Sequence, residues 1–247
     1  MKKRMLKILL VALFMLALTA CGQPQSFTSS EEGIIITADS SWSMPDKNEG
    51  LAKAYGSDED NYQKMVECVL EQRGGKALLS VEKYDVTAYL TQQKNYIQWL
   101  SRQYSLLPED EIDSWLQSQD QEDTALLDAY REAAIHNDTS EETIKYIEIL
   151  NEDSIWLGEL SKISGYQLLD KEDAEILGQK TQILHYQYAS GEDMIMEFVE
   201  TSAIKDNTLY TVTIWGEQGK FTKKLADYKE ILTSLAWADA ADEQSAE

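Results

Sequence analysis

Three strand-like runs in the C-terminal third of the chain constrain its fold more than any other feature. Gln182–Tyr188, Met194–Thr201 and Leu209–Trp215 are rich in the aromatic and β-branched residues that favour extended backbone. Short polar segments join them, Ser190–Asp193 after the first run and Asp206–Asn207 after the second. Such short joints are typical of hairpins between antiparallel neighbours. The pattern therefore predicts an antiparallel meander.

The rest of the chain adds two strands and several other elements. Gly33–Ala38 and Lys76–Asp85 predict strands, because both contain apolar runs next to turn residues. Residues 46–60 indicate a polar loop, and Tyr62–Leu70 predicts a partly apolar helix. Phe221–Leu235 predicts a closing helix, since its apolar residues recur on one helical face.

The middle of the chain is expected to be helical. Apolar residues that recur every three or four positions predict a helix over residues 86–107, which Pro108 ends. Residues 109–151 predict several short helices, and Thr139 with Glu142 forms a capping box for the last of them. Because helices this short are marginal alone, each needs tertiary packing to persist.

The N-terminus predicts export and lipid attachment. A basic start precedes an apolar stretch from Ile8 to Leu18, which is the pattern of a secretory signal. The small residues before Cys21 and the glycine after it are similar to the bacterial lipobox. We therefore expect residues 1–20 to be a lipoprotein signal peptide and Cys21 to be the lipidation site. A diacylglycerol on its sulfur has two chains, which suffices for stable anchoring.

Two alternatives for this segment remain. A transmembrane anchor needs about 20 apolar residues, about twice what is present. A signal that is cleaved without lipidation would leave a free thiol on Cys21.

In the lipoprotein interpretation, residues 21–32 form a flexible tether that holds the domain of residues 33–237 at the extracytoplasmic face of the cell membrane. Residues 238–247 are small and acidic, which predicts a disordered tail.

The net charge of −22 excludes some classes of partner. Nucleic acids require a positive surface, and so does electrostatic binding to anionic lipids. A solvated acidic surface is the simpler explanation, and a surface for cations or a basic partner is the alternative. The acidic clusters Asp58–Asp60 and Glu109–Glu111 lack the spacing of a calcium loop.

Few residues are candidates for chemistry. Cys68 is expected to be a buried, inert thiol, because its neighbours are partly apolar. His136 and His185 are too few for a typical zinc site, and His185 is expected to be a packed or edge residue of a strand. Gly216–Thr222 has some likeness to a phosphate loop but lacks its spacing, so a turn before the last helix explains it better. Six tryptophans are candidates for either the core or a binding groove: Trp42, Trp99, Trp115, Trp156, Trp215 and Trp237.

The motifs of common hydrolases are also missing. The sequence contains neither a GxSxG nucleophile elbow nor an HExxH zinc motif. A pair of catalytic carboxylates stays possible, because the fold brings such pairs together independently of sequence spacing. We therefore predict no catalytic residue, no metal site and no cofactor.

Several short motifs follow one another in a recognisable order. They are Gly33–Ile36 with Ser41–Trp42 near the start, and Ile176–Thr181, Leu209–Thr213 and Tyr228–Leu235 near the end. In this order they resemble the PsbP-like (DcrB/PsbP-like) family, although Leu235 stands where that family has a phenylalanine. The resemblance covers residues 33–100 loosely and 174–237 better.

The resemblance implies an α+β sandwich, in which a central antiparallel β-sheet is flanked by helices. Residues 108–155 have no counterpart in short members of the family and are expected to be a helical insertion. The resemblance also implies a non-enzymatic role, since the family consists mostly of adaptors and accessory subunits.

Three functions are compatible with these observations. The first is a membrane-anchored binding or accessory protein of an envelope assembly, with a lipid bilayer and an envelope protein as partners. Its binding surface is expected on a sheet face or beside the helices of residues 108–155. The second is a cell-wall glycan or peptide hydrolase with an unrecognised carboxylate site. The third is a small-ligand receptor of a transporter.

Overall fold

The computed structural model describes residues 24–30, 33–118, 124–190 and 194–238. The described strands are β1 (Gln25–Thr28), β2 (Ile34–Ala38), β3 (Trp42–Ser43), β4 (Val66–Gln72), β5 (Leu78–Asp85), β6 (Gln167–Ile176), β7 (Gln179–Ala189), β8 (Ile195–Lys205), β9 (Thr208–Glu217) and β10 (Ala236–Trp237). The described helices are α1 (Lys47–Tyr55), α2 (Glu59–Tyr62), α3 (Thr87–Leu106), α4 (Glu109–Gln117), α5 (Thr124–His136), α6 (Glu141–Leu160) and α7 (Leu225–Thr233). Short 3₁₀ helices precede α2 and α7, at Gly56–Asp58 and Thr222–Lys224.

A seven-stranded antiparallel sheet organises the fold. Its strand order is β3-β4-β5-β9-β8-β7-β6, and a separate three-stranded sheet has the order β1-β2-β10. Helices α3 to α6 lie in the chain between β5 and β6, and α7 follows β9. This arrangement confirms the predicted α+β class with a central antiparallel sheet and flanking helices.

The predicted meander is present as β7, β8 and β9, which are neighbours in the sheet. Phe198 of β8 lies opposite Tyr186 on one side and Trp215 on the other. The β8–β9 turn uses Asp206 and Asn207, as the sequence predicts, and Asp206 has a φ of 54°. Aspartate tolerates this left-handed conformation better than most residues, so the local sequence suits the turn.

One side of the large sheet, here called the core face, holds the largest hydrophobic cluster. Side chains two residues apart along each strand point to the same side, so alternate apolar residues of β4, β5, β8 and β9 build it. Helix α7 and strand β2 cover these residues. The cluster includes Leu70, Leu79, Val81, Val199, Val212 and Ile214 of the sheet, Tyr228 and Leu232 of α7, and Ile34 and Ile36 of β2.

The other side of the sheet, here called the cavity face, is covered only at its ends. Near β4, Leu51 of α1 packs on Val69. Near β7, Leu160 of α6 packs with Tyr186. Farther along α6, Ile149 packs with a small cluster at the ends of β8 and β9. The middle of this face therefore lies between two helical walls.

Two predictions for the first 60 residues are wrong. Residues 25–28, inside the predicted tether of residues 21–32, form β1 and pair with β2. Residues 46–60, predicted as a loop, contain α1 and α2, and Asp46 caps α1 by accepting a hydrogen bond from the Glu49 amide at 3.1 Å. Helix α1 buries little more than Leu51, so the sequence lacks the repeated apolar residues that would predict a helix there.

The segment around Cys68 is a strand and not the predicted helix. It lies in β4, where Cys68 pairs with Val81 of β5. The periodicity of a short apolar run fits a helix and a strand equally well, and here the pairing with β5 makes the segment a strand.

Strand β6 has no counterpart among the predicted elements, because it is an exposed edge strand rich in charged residues.

Four helices lie between β5 and β6, so the helical block is longer than the predicted insertion of residues 108–155. It begins with α3 at Thr87 and ends with α6 at Leu160. The block has its own core, which includes Ile97, Leu100, Leu126, Tyr130, Ile147 and Leu150. Among the described helices, none is both long enough and apolar enough to cross a membrane.

Gly216 of β9 is packed too tightly to carry a side chain. A Cβ at this position would lie 2.5 Å from the Lys76 carbonyl oxygen and 3.2 Å from Phe221. We expect Gly216→Ala to lower the free energy of unfolding by about 2–3 kcal/mol, because the clash is with backbone. Gly158 of α6 has no neighbour within 4 Å of a Cβ, so Gly158→Ala should raise stability by up to about 1 kcal/mol. Urea denaturation of both variants checks this contrast, and equal effects would refute it.

Candidate functional site

A cavity of about 930 Å³ lies on the cavity face of the seven-stranded sheet. Its floor consists of alternate residues of four neighbouring strands, because side chains two residues apart share one side of a strand. The polar floor residues are Ser80 and Glu82 of β5 and Glu200 of β8, with Thr213 of β9 between them and Tyr186 of β7 beyond Glu200. The sheet thus brings together residues that are up to 133 positions apart in the chain.

Two helical segments form the walls of the cavity. Tyr55 of α1 and Tyr62 of α2 line one wall, and Glu152, Asp153 and Trp156 of α6 line the other. Each wall is fixed by apolar packing at its own end of the sheet. The space between the walls is therefore a consequence of where α1 and α6 are anchored.

Aromatic rings supply much of the lining. Tyr55 and Tyr62 stack with ring centroids 4.0 Å apart and an interplanar angle of 12°. Phe198 stacks on Tyr186 with centroids 5.1 Å apart, and Trp215 lies 6.3 Å from the Tyr55 ring. Such stacked rings hold one another in place, so the lining is largely preformed.

Glu200 is the buried carboxyl of the floor. Its Oε2 accepts a hydrogen bond from Thr213 Oγ1 at 2.7 Å and one from the Tyr186 hydroxyl at 3.2 Å. Burial raises the pKa of Glu200 to about 7, and the nearby charge of Glu82 acts in the same direction. Among the described residues no cationic side chain pairs with it. At neutral pH the group is therefore poised between its neutral and ionised forms.

Glu82 is held by two tyrosines. The Tyr55 hydroxyl donates to Glu82 Oε1 at 2.6 Å, and the Tyr84 hydroxyl donates to Oε2. Burial, followed by the charge of Glu82, raises the pKa of both tyrosines. Both phenols therefore stay protonated at any physiological pH and keep donating to the carboxylate.

The charge lining the cavity is predominantly negative. Among the described residues, five acidic side chains face a single basic one, Lys53 at the α1 wall. Lys53 is itself engaged, since its ammonium lies 2.8 Å from Glu49 and 2.6 Å from Glu71. The acidic residues are Asp58, Glu82, Glu152, Asp153 and Glu200. Within the described parts of the chain, no group of three His, Cys, Asp or Glu residues could hold a metal ion.

The two cysteines have different outcomes. Cys21, the predicted lipidation site, lies outside the described residues, as does the predicted signal peptide. Cys68 is buried in β4, and burial raises the pKa of its thiol to about 12. The thiol is therefore inert, which agrees with the sequence prediction although the predicted helix around it is wrong.

Both histidines lie away from the cavity. His185 is buried on the core face, where its Nε2 lies 2.8 Å from Glu197 Oε1. Thr222 donates to the other oxygen of Glu197 at 2.6 Å, so the group is a satisfied structural cluster. His136 ends α5 and lies at the surface, 3.6 Å from Glu132. The prediction that His185 is a packed strand residue is confirmed.

The phosphate-loop likeness and the tryptophans are also resolved. The segment Gly216–Thr222 ends β9 and turns into the 3₁₀ helix before α7, which confirms the turn explanation. The tryptophans divide between the two predicted roles: Trp42 belongs to the core, whereas Trp156 and Trp215 line the cavity. Trp99 and Trp115 form an edge-to-face pair in the helical block, with centroids 5.2 Å apart.

The sequence reasoning missed the residues that define the cavity. Ser80, Glu82, Glu200 and Thr213 occupy alternate positions of central strands, where polar residues ordinarily face water. No local signal marks them, because what sets them apart is the position of their strands in the middle of the sheet order, which is a tertiary property.

Comparisons with known proteins place the fold among structural neighbours. No protein-family model matches the sequence, and no curated protein matches it. The solution structure of the cyanobacterial PsbP protein CyanoP, from Synechocystis sp. PCC 6803, is similar with a TM-score of 0.45 and 12% identity. The match covers 87% of this chain and 92% of that one.

Two further neighbours are crystal structures. LpqN, involved in cell envelope biogenesis of Mycobacterium tuberculosis, has a TM-score of 0.37 and 9% identity, over 87% of this chain and 90% of that chain. PA94 of Pseudomonas aeruginosa, a protein of unknown function and putative regulator by its description, has a TM-score of 0.34 and 10% identity, over 64% and 70%. Similarity at these scores does not indicate an activity or a partner. The function proposed for this protein therefore rests on the geometry of its own cavity.

Proposed function

We propose that this protein is a lipid-anchored, extracytoplasmic binding protein that holds a small ligand in the cavity between α1 and α6. The observation that carries the proposal is the preformed cavity of about 930 Å³ with a buried carboxyl in its floor. Pockets for small molecules are ordinarily of about 300–1,000 Å³ and have mostly apolar walls with a few polar groups.

The cost of Glu200 supports a ligand role over a structural one. A carboxyl buried without a cationic partner lowers stability whenever it is ionised. An apolar residue at this position of β8 would pack against Phe198 and Tyr186 at lower cost. Buried groups with a displaced pKa in a cleft occur most often at functional sites.

Hydrolysis is the second candidate, because Glu82 and Glu200 line the same cavity and the charge of Glu82 helps to raise the pKa of Glu200. We rank it below binding. Both oxygens of Glu82 already accept hydrogen bonds from tyrosines, whereas Glu200 is bonded only through Oε2. Only Glu200 therefore has an oxygen open to a substrate, and hydrolysis by a carboxyl pair needs two such groups. Release of product from cell-wall glycan or peptide by the wild type, lost in Glu200→Gln, would reverse this ranking.

The location rests on the N-terminal sequence. In this proposal Cys21 carries two acyl chains, and the domain works beside the outer face of the membrane, where an envelope protein partner would receive or present the ligand. Mass spectrometry of the exported protein tests the anchor. A diacylated N-terminal cysteine supports it, and an unmodified thiol at Cys21 would remove this part of the proposal.

Native mass spectrometry of the protein purified from its own membranes tests the binding function. We expect a small molecule to co-purify with the wild type and to be lost in Thr211→Trp, since Thr211 lies opposite Glu82 on the cavity floor and a tryptophan there would project over the polar floor groups. Thr208→Trp is the matched control, because Thr208 lies on the same strand but does not line the cavity. Retention of the ligand by both variants would refute the assignment of the site.

A further inference from the structure

Resting on the proposed function, we infer that the cavity selects a lipophilic organic cation, that is, an alkyl- or aryl-substituted ammonium or phosphonium. Charge, ring chemistry and the polar floor lead to this class independently of the N-terminal sequence. The charge disfavours anions, the rings disfavour hydrated metal ions, and the buried carboxyl favours a cation over a neutral ligand.

The charge of the lining excludes anionic ligands. The five acidic residues of the cavity face one lysine, and Lys53 is already bound by Glu49 and Glu71. A phosphate or carboxylate entering this space would find no available cation among the described lining residues. In a cavity walled by apolar rings such like-charge contacts are costly, so the lining repels anions and attracts cations.

The rings favour an organic cation over a hydrated metal ion. Tyr55, Tyr62, Trp215 and Tyr186 present π-faces and edges around the space. The negative face of an aromatic ring attracts a cation, and the attraction grows when the site excludes water. Methionines 65, 194 and 196 also line the space and adapt to bulky apolar groups. A hydrated metal ion would keep its water shell and use none of these apolar contacts.

The floor provides the countercharge. Glu200 is 6% exposed. The hydrogen bonds from Tyr186 and Thr213 hold its Oε2 in place but do not neutralise the charge of the carboxylate. Ser80 lies two strands away, on the other side of Thr213; it is fully buried, and its Oγ makes no hydrogen bond among the described residues. A buried carboxylate that lacks a cation is stabilised when a ligand supplies one, so ligand binding would satisfy the floor.

This coupling makes binding depend on pH. With a pKa of about 7 in the unliganded protein, Glu200 is mostly neutral at pH 6 and mostly ionised at pH 8. A cation binds the ionised form better, so affinity should rise about tenfold between these pH values. The other titratable groups that line the space are Lys53 and Tyr55 of α1, Asp58 of the 3₁₀ helix before α2, Tyr62 of α2, Glu82 and Tyr84 of β5, Glu152 and Asp153 of α6, and Tyr186 and Tyr188 of β7.

Tetraphenylphosphonium and tetraphenylborate are the probes, since they share size and shape and differ in the sign of their charge. Isothermal titration of the purified full chain at pH 8 should give an affinity for the phosphonium at least about 100-fold higher than for the borate. Glu200→Gln and, as a second variant, Glu82→Gln should each weaken phosphonium binding about tenfold. Glu200→Gln should also abolish the rise between pH 6 and pH 8.

The two tryptophan variants distinguish binding of the phosphonium in the cavity from its general attraction to the acidic protein surface. Thr211→Trp should abolish phosphonium binding and Thr208→Trp should retain it. Equal affinity for both probes, preference for the borate, no binding of either, or binding that Glu200→Gln leaves unchanged would overturn the inference. The proposed binding function would still be supported in each of these cases if a ligand co-purified with the wild type and was lost in Thr211→Trp.

Discussion

Replacing Tyr228 by alanine is expected to lower the free energy of unfolding by about 3–5 kcal/mol. Tyr228 is 1% exposed and sits in the largest core cluster, where α7 meets the large sheet. Its ring is edge-on to Trp42 at 6.1 Å and tilted against Phe221 at 4.6 Å. Its hydroxyl donates to Gln72 Oε1 at 2.9 Å, so the alanine variant also leaves a buried amide oxygen without this partner.

Tyr228→Phe is the matched control for the packing contribution. It keeps the ring and removes the hydroxyl, so we expect a loss of about 1–2 kcal/mol. Urea denaturation followed by tryptophan fluorescence measures both variants, and the ratio of their effects is the informative quantity. If phenylalanine cost as much as alanine, the hydrogen bond and not the ring would anchor α7.

Stability is expected to fall between pH 5 and pH 8 because of two buried carboxyls. Burial raises the pKa of Glu148 to about 7, with the charge of Glu152 adding to the effect, and burial raises that of Glu200 to about 7. The ordinary value in the unfolded chain is about 4.5. A raised folded-state pKa stabilises the fold fully below pH 4.5, and this contribution is lost as the pH rises through 7. Each carboxyl should thus account for about 2–3 kcal/mol.

The double variant Glu148→Gln/Glu200→Gln isolates this effect. Glutamine keeps the size of each side chain, and Gln93 Nε2, which donates to Glu148 Oε2 at 2.7 Å, retains an acceptor. Relative to the wild type, the variant should gain stability steadily from pH 5 to pH 8. Other carboxyls act with the opposite sign but at lower pH, since hydrogen bonds and ion pairs lower the pKa of Asp85, Asp138 and Asp170. Parallel stability curves for the two proteins would show that neither carboxyl has the expected pKa.

The sequence predicts correctly those elements whose own residues contain the full local signal, that is, the apolar periodicity together with the turn residues at the ends. The meander has β-branched and aromatic residues and two short turns, and α3 has a long apolar period, so both follow from local rules. Strands β1 and β6 have no such pattern, because an edge strand exposes most of its side chains and is defined by its partner. Likewise β4 is a strand only because β5 pairs with it.

The cavity depends on tertiary structure even more. Glu82 and Glu200 are 118 positions apart, and nothing in either strand states that they share a floor. The burial of Glu200 and the partial burial of Glu82 follow from the sheet order and from the positions at which α1 and α6 pack. The expectation of a binding surface on a sheet face named the region but none of these residues. Cys21 is the opposite case, since its expected role depends on local sequence alone.

A crystal structure of the protein purified from its own membranes would show whether the cavity holds a ligand. We expect electron density for a non-protein molecule between the walls formed by α1 and α6, in contact with Glu200 and with the rings of Tyr55 or Trp215. A structure in which the side chains of the two walls meet and fill this space, with no ligand anywhere on the cavity face, would contradict it.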